Sequence, residues 1–281
     1  MANLKVIMIG DVVGDPGLEA LEAQLPPLIR KTQADFIVVN GENAAAGFGM
    51  MEADLKRILA AGADVVTSGN HVWEKREFWP VLDAEPRILR PANYPQGSSG
   101  RGWIKLEKEA ACGSTVSWLV INLQGRESMI PIDCPFQSFD AILENFYPSV
   151  SDNGIPAAPD PALIVLVDFH AESTTEKEAL AYHLDGRASL VAGTHTHVQT
   201  ADERVLPKGT GYITDLGMSG VVDSVIGMDT KICLDRSRNQ VLYRMECAKG
   251  AGVIQGIIAE IDSSTRKTIS LKRLGIRTDN S

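Results

Sequence analysis

Leu4-Lys5-Val6-Ile7-Met8-Ile9 is apolar for most of its length and stops at Gly10-Asp11. A short apolar run that ends abruptly in such a pair reads as a buried strand feeding a loop at its carboxyl end. The pattern recurs. Phe36-Ile37-Val38-Val39 runs into Asn40-Gly41-Glu42-Asn43, and Val65-Val66 into Ser68-Gly69-Asn70-His71. Residues 12–17 and 44–49 read as loops, while 18–30 and 51–61 carry apolar residues at helical spacing. Strands and helices in alternation predict an α/β fold, a sheet covered by helices with parallel strands at least in this half.

The pattern continues less regularly. Residues 73–82 read as a helix or turn, 88–89 as a short strand, and 103–106 and 118–123 as strands about a turn at 111–113. A helix is expected over 139–146 and a Pro-rich connector over 151–161. The strand 163–168 ends at Phe169-His170, and Ser173-Thr174-Thr175-Glu176 matches a capping box ahead of a helix over 177–184. The strand 190–192 delivers Gly193-Thr194-His195-Thr196-His197, and the strand 212–214 ends in a loop from Asp215 to Gly220. Residues 241–245, 253–261 and 269–274 alternate apolar with polar, which predicts antiparallel strands with one wet face. With no internal repeat, low-complexity tract or linker, the expected organisation is one domain over 1–281.

Composition narrows the function. An apolar content of 44% and a charged content of 22% are those of a globular protein. A net charge of -9 argues against a protein that coats long nucleic acid, yet is compatible with a small nucleotide. No apolar stretch approaches the roughly 20 residues that span a bilayer, and the N-terminus enters a strand pattern without a signal-peptide cleavage pattern. Cys112, Cys134, Cys233 and Cys247 form no CxxC pair, so neither a zinc knuckle nor a redox pair is indicated. Free thiols fit a reducing compartment and a cytoplasmic protein.

Five strand ends carry metal-ligand side chains: Asp11; Asn40, Glu42 and Asn43; Asn70 and His71; His170; His195 and His197. Singly, each has a structural explanation as a turn residue, a loop cap or a packed imidazole. Together they carry a different meaning, because ligands of open α/β sheets bind outside the carboxyl ends of the strands. Four of the five histidines fall there, and the fifth, His183, reads as structural. In an extended segment His195 and His197 would point the same way, onto one ion. Oxygen and nitrogen donors without thiolate suit Fe, Mn or Zn. There are too many for one tetrahedral zinc, but they suit two ions sharing a carboxylate about 3.5–4 Å apart, an arrangement recurrent in phosphoester chemistry.

The blocks IGDVVGDPG, NGENAAAGFG, SGNHVW, DFHAESTTEK, AGTHTHVQTAD and YITDLGMSG, from residue 9 to 220, resemble the ordered motifs of the calcineurin-like metallophosphoesterases. Among these the sequence is most similar to the YmdB branch, described as 2′,3′-cyclic-nucleotide 2′-phosphodiesterases. The resemblance implies an αββα sandwich of mixed sheets flanked by helices, and two divalent or trivalent transition-metal ions. It places Asp11, Asn43 and His197 on one metal, Asn70, His170 and His195 on the other, and Glu42 between them. A bridging hydroxide would attack phosphorus and His71 would act as general acid, opening a 2′,3′-cyclic nucleotide to a 3′-nucleotide. Three positions depart from the wider superfamily: Val13 and Glu42 replace its His and bridging Asp, as in the YmdB branch, and Val72 replaces the acidic residue that orients the catalytic His. Glu74 or a backbone carbonyl is the available substitute. Glu172 reads either as a partner of a metal-bound His or as an exposed residue before the helix. Phe48 and Trp73 are left as packing. A phosphomonoesterase or nuclease on the same metals is the nearest rival, and a nucleotide-sensing regulator the more distant one.

Overall fold

The apolar runs pair into two sheets. The computed structural model describes residues 3–146 and 163–278, so the connector expected at 151–161 lies outside the described residues. The first part of the chain forms β1 (Asn3–Ile9), β2 (Asp11–Val12), α1 (Gly14–Thr32), β3 (Phe36–Asn40), α2 (Glu52–Ala60), β4 (Val65–Thr67) and α3 (Trp79–Ala84), the last entered through a 3-10 turn at Arg76–Phe78. The middle forms β5 (Trp103–Glu109), β6 (Thr115–Gln124), α4 (Pro135–Glu144), β7 (Leu163–His170), α5 (Thr174–Leu184) and β8 (Leu190–Thr194). The rest forms β9 (Arg204–Val205), β10 (Gly211–Ile213), β11 (Met218–Val221), α6 (Thr230–Asn239), β12 (Gly252–Asp262) and β13 (Thr268–Arg277).

Among the described residues one sheet has the order β2-β11-β12-β1-β3-β4, with β13 added on β12, and the other β5-β6-β7-β8-β10-β9. Both are mixed. β1, β3 and β4 run parallel, as do β6, β7, β8 and β10, while β12 and β5 pair antiparallel with β1 and β6. The strand runs lack polar alternation because both faces are covered. Val6, Met8, Phe36, Val38 and Val65 meet Trp118, Val120, Leu166, Leu190 and Ala192 between the sheets. The intervening residues Ile7, Ile9, Ile37, Val39 and Val66 face out onto α1, α2 and α3. On the far side Leu119, Ile121, Val165 and Val167 pack with Phe139, Leu180 and Leu184 of α4 and α5. The result is the helix–sheet–sheet–helix sandwich that the resemblance implies. No helix among the described residues is long and apolar enough to cross a membrane.

Several local expectations change. Residues 14–17 are helix rather than loop, since Pro16 in a first turn removes only an N–H that had no helical partner. Residues 88–89 make isolated bridges only. The loop 215–220 contains β11, which lies beside β2. Their approach needs glycine, because a Cβ on Gly10 would stand 2.0 Å from the Gly217 carbonyl oxygen. The strand expected at 241–245 is absent, and Leu242 is 86% exposed. Val241-Leu242-Tyr243-Arg244-Met245 alternates only at its end, and β12 is already flanked by β1, β11 and β13. The capping box is half formed. Ser173 Oγ accepts from Glu176 N, whereas the Glu176 carboxylate accepts from the backbone N–H groups of Arg126 and Glu127.

Candidate metal centre

Parallel strands place their carboxyl ends along one edge, and two facing sheets bring two such edges together. β1, β3 and β4 of one sheet lead to Asp11, to Glu42 and Asn43, and to Asn70 and His71; β7 and β8 of the other lead to His170, His195 and His197. All these residues meet in one place. His170 Nε2 lies 2.9 Å from Asn70 Oδ1, 3.0 Å from Glu42 Oε1 and 3.0 Å from His195 Nδ1. His197 Nε2 lies 3.1 Å from Asn43 Nδ2 and 3.9 Å from Asp11 Oδ1. Glu42 Oε1 touches both groups, since it also accepts from Asn43 Nδ2 at 3.2 Å. Asp11, Glu42, Asn43 and His170 are buried.

The outer side of each imidazole is committed. Thr194 Oγ1 donates its proton to Asp168 Oδ1 at 2.7 Å, so it accepts from His170 Nδ1–H at 3.0 Å. His197 Nδ1–H donates to the Ile226 carbonyl at 2.8 Å, and His195 Nε2 faces Glu172 Oε2 at 3.2 Å. These bonds fix the outer nitrogens and turn His170 Nε2 and His195 Nδ1 toward one another at 3.0 Å. Two ring nitrogens this close are compatible only when a proton or a metal cation sits between or beside them. In addition, Asp11 Oδ1 and Asn43 Oδ1 are buried without a hydrogen-bond donor. Orphaned acceptors beside converging imidazoles are what a metal ion satisfies, so the residues present fit a metal. Glu42, His170 and His195 offer donor atoms that all lie within 4.8 Å of one another.

The charges tell the same story. Burial opposes a proton on His170, but the Glu42 carboxylate, with Asp11 and Asp168 behind it, outweighs burial and raises the imidazole to about 9. Burial and the neighbouring His170 push His195 down to about 3. Burial pushes Asp11 up to about 6 against the pull of His197 and His170. The imidazoles around Glu42 overcome its burial and hold it at about 2. The field that draws a proton onto one buried imidazole also draws a metal cation.

The His195–His197 segment is not extended. β8 stops at Thr194, and the backbone turns left-handed at His195 (φ 101°) and His197 (φ 64°), a region that L residues adopt only when held there. The hold comes from two buried carboxylates. Asp11 Oδ2 accepts from His195 N, and Asp215 Oδ2 accepts from Thr196 N at 3.1 Å and from Lys177 Nζ at 2.7 Å. Strand alternation therefore does not set the two rings' directions; the bend turns His195 toward His170 and His197 toward Asn43.

Three positions escape the sequence reading. Asp168 accepts from Asn40 Nδ2 at 3.0 Å and from the Thr67 and Thr194 hydroxyls, so Asn40 braces the second sheet rather than pointing a donor at the centre. A charge inside the run LIVLVDFH is the signal that exposes Asp168. Lys177 sits on the same helical stripe as buried Leu180, Ala181 and Leu184, which marks it as an inward-facing cation awaiting Asp215. Thr194 lies inside the motif itself. Asp215→Ala is expected to cost about 3–5 kcal/mol, because it strands the Lys177 charge in the interior. Adding Lys177→Met should recover most of this loss in urea unfolding, and equal stability of the single variant and the parent would refute the pairing.

His71 stands at the rim. Its N–H donates to Glu42 Oε2 at 3.2 Å, its Nδ1 lies 3.4 Å from Glu74 Oε1, and its ring meets Phe48 edge-on at 5.1 Å. Glu172 partners His195 rather than the nearer-in-sequence His170.

The sequence profile of the family described as YmdB-like protein matches residues 7–274. Over 280 residues the chain is 41% identical to the 2′,3′-cyclic-nucleotide 2′-phosphodiesterase of Bacillus subtilis (strain 168), across 99% of this chain and 98% of that protein. It superposes on the crystal structure of a novel phosphatase of Mycoplasma pneumoniae with a TM-score of 0.87 and 30% identity, across 99% of this chain and 95% of that one. The calcineurin-like phosphoesterase YfkN of Bacillus subtilis shares the fold alone, with a TM-score of 0.53 and 12% identity across 98% of this chain and 90% of that one. With a profile that covers nearly the whole chain and a relative alike from end to end, the protein belongs to the YmdB-like family.

Proposed function

We propose that the chain is a metal-dependent phosphodiesterase that opens nucleoside 2′,3′-cyclic phosphates to 3′-nucleotides. The converging ring nitrogens of His170 and His195, with Glu42 touching both donor groups, carry this reading. Asp11, Asn43 and His197 would hold one ion, Asn70, His170 and His195 the other, and Glu42 would span them. When bound, such a pair of ions supplies positive charge for the phosphoryl oxygens and acidifies the attacking water. Oxygen–nitrogen ligation fits Fe, Mn or Zn.

The chain's own part is to hold substrate and move protons. As water oxygen bonds to phosphorus, the bond from phosphorus to the ribose 2′ oxygen breaks and that oxygen needs a proton. His71, at the rim and backed by Glu74, would donate it as general acid. The product keeps its phosphate on the 3′ oxygen. The four cysteines are free thiols, which supports a cytoplasmic setting.

The name of the Mycoplasma relative favours a second reading, a phosphomonoesterase on the same centre. Metal-loaded protein assayed with 2′,3′-cyclic AMP and with 3′-AMP separates the two. The proposal expects the cyclic diester to be consumed and 3′-AMP to accumulate. Faster release of inorganic phosphate from 3′-AMP than opening of the diester would support the second reading instead.

A further inference from the structure

The donor cluster opens into a cavity of about 410 Å³ whose lining includes an apolar wall of Phe48, Ile226, Met228 and Met245. Arg236 of α6 lines the same cavity, and it is the one Lys or Arg among its described lining residues. Its position is set by the helix. Asp229 caps α6 through Ile232 N at 2.9 Å, and Cys233 packs into the cluster of Val13, Met218 and Met228. Arg236 follows Cys233 by three residues, and its solvent-exposed side chain reaches the cavity lining. Among the described residues the Arg236 side chain makes no hydrogen bond or ion pair, although it stands in a protein of net charge -9.

An unpaired guanidinium in the lining of the cavity that holds the donor cluster is a receptor for an anion carried by the substrate. In a nucleoside 2′,3′-cyclic phosphate the reacting diester belongs at the donor cluster and the base on the apolar wall. The remaining position for an anion is the 5′ oxygen. Building on the phosphodiesterase reading, we infer that the substrate bears a second phosphate on its 5′ side, which Arg236 binds. That group is either the 5′-monoester of a mononucleotide or the diester linkage of an oligonucleotide ending in a cyclic phosphate.

The test compares kcat/KM of the metal-loaded enzyme on 2′,3′-cyclic AMP, on its 5′-phosphorylated form, and on the dinucleotide ApA with a terminal 2′,3′-cyclic phosphate. A charge-assisted contact of this kind is expected to favour a substrate with the second phosphate by about 10-fold. Arg236→Gln should abolish the preference, and Arg236→Lys should retain part of it. Preference for the monoester alone, or for the dinucleotide alone, identifies which source supplies the phosphate. Equal kcat/KM on all three, or a preference that survives Arg236→Gln, overturns the inference while leaving the phosphodiesterase reading intact. No turnover of any of the three brings down that reading, and the inference with it.

Discussion

Replacing His195 with Ala is expected to remove one of two transition-metal ions from each chain, with kcat/KM on 2′,3′-cyclic AMP falling by more than the about 10–100-fold lost when only a ligand's outer partner is removed. His195 contributes little packing, since its side chain is 22% exposed, and its neighbours are the atoms of the donor cluster rather than the core. The substitution deletes the Nδ1 that faces His170 Nε2 at 3.0 Å and leaves Asp11, Asn43 and His197 untouched. Loss should therefore fall on one ion. Metal analysis of the purified variant beside the parent reads this directly. Full occupancy in the variant would remove His195 from the ligand set, and loss of both ions would mean that the two positions fill cooperatively rather than independently.

His71→Ala should behave in the opposite way, keeping both ions and losing about 10²–10⁴-fold in kcat, the range for a general acid. Its ring touches Phe48 and Glu74 rather than the converging donors, and only its backbone N–H reaches Glu42. Alanine preserves that N–H. The deficit should depend on the leaving group, because a ribose hydroxyl needs the proton and a nitrophenolate does not. A bis-nitrophenyl phosphate assay is expected to show a much smaller loss than 2′,3′-cyclic AMP. Equal losses on both substrates would assign His71 to binding the phosphoryl group instead.

The strand ends were legible because two independent signals coincide there. Apolar runs without polar alternation require cover on both faces, and polar residues at their carboxyl ends are what an α/β sheet presents to a ligand. That reasoning needs no knowledge of which strands are neighbours, so Asp11, Glu42, Asn70 and His170 could be gathered before any topology was known. What depends on partners far along the chain stayed hidden. The bend at His195 is enforced by Asp11 and Asp215, which accept consecutive backbone N–H groups from opposite sides, and no local pattern announces it. Residues 241–245 carry strand-forming side chains, yet these offer only a capacity to pair, and β12 already has its neighbours. Asp168 and Lys177 look like interruptions of apolar patterns until Thr67, Thr194 and Asp215 supply their partners.

The division of the GTHTH segment between two metal positions is the proposal on which the rest depends. Anomalous diffraction from crystals of the metal-loaded protein, collected at the absorption edge of the bound element, measures it most directly. The account predicts two peaks about 3.5–4 Å apart, with Glu42 between them, His197 beside one and His195 beside the other. A single peak ligated by both histidines would contradict it.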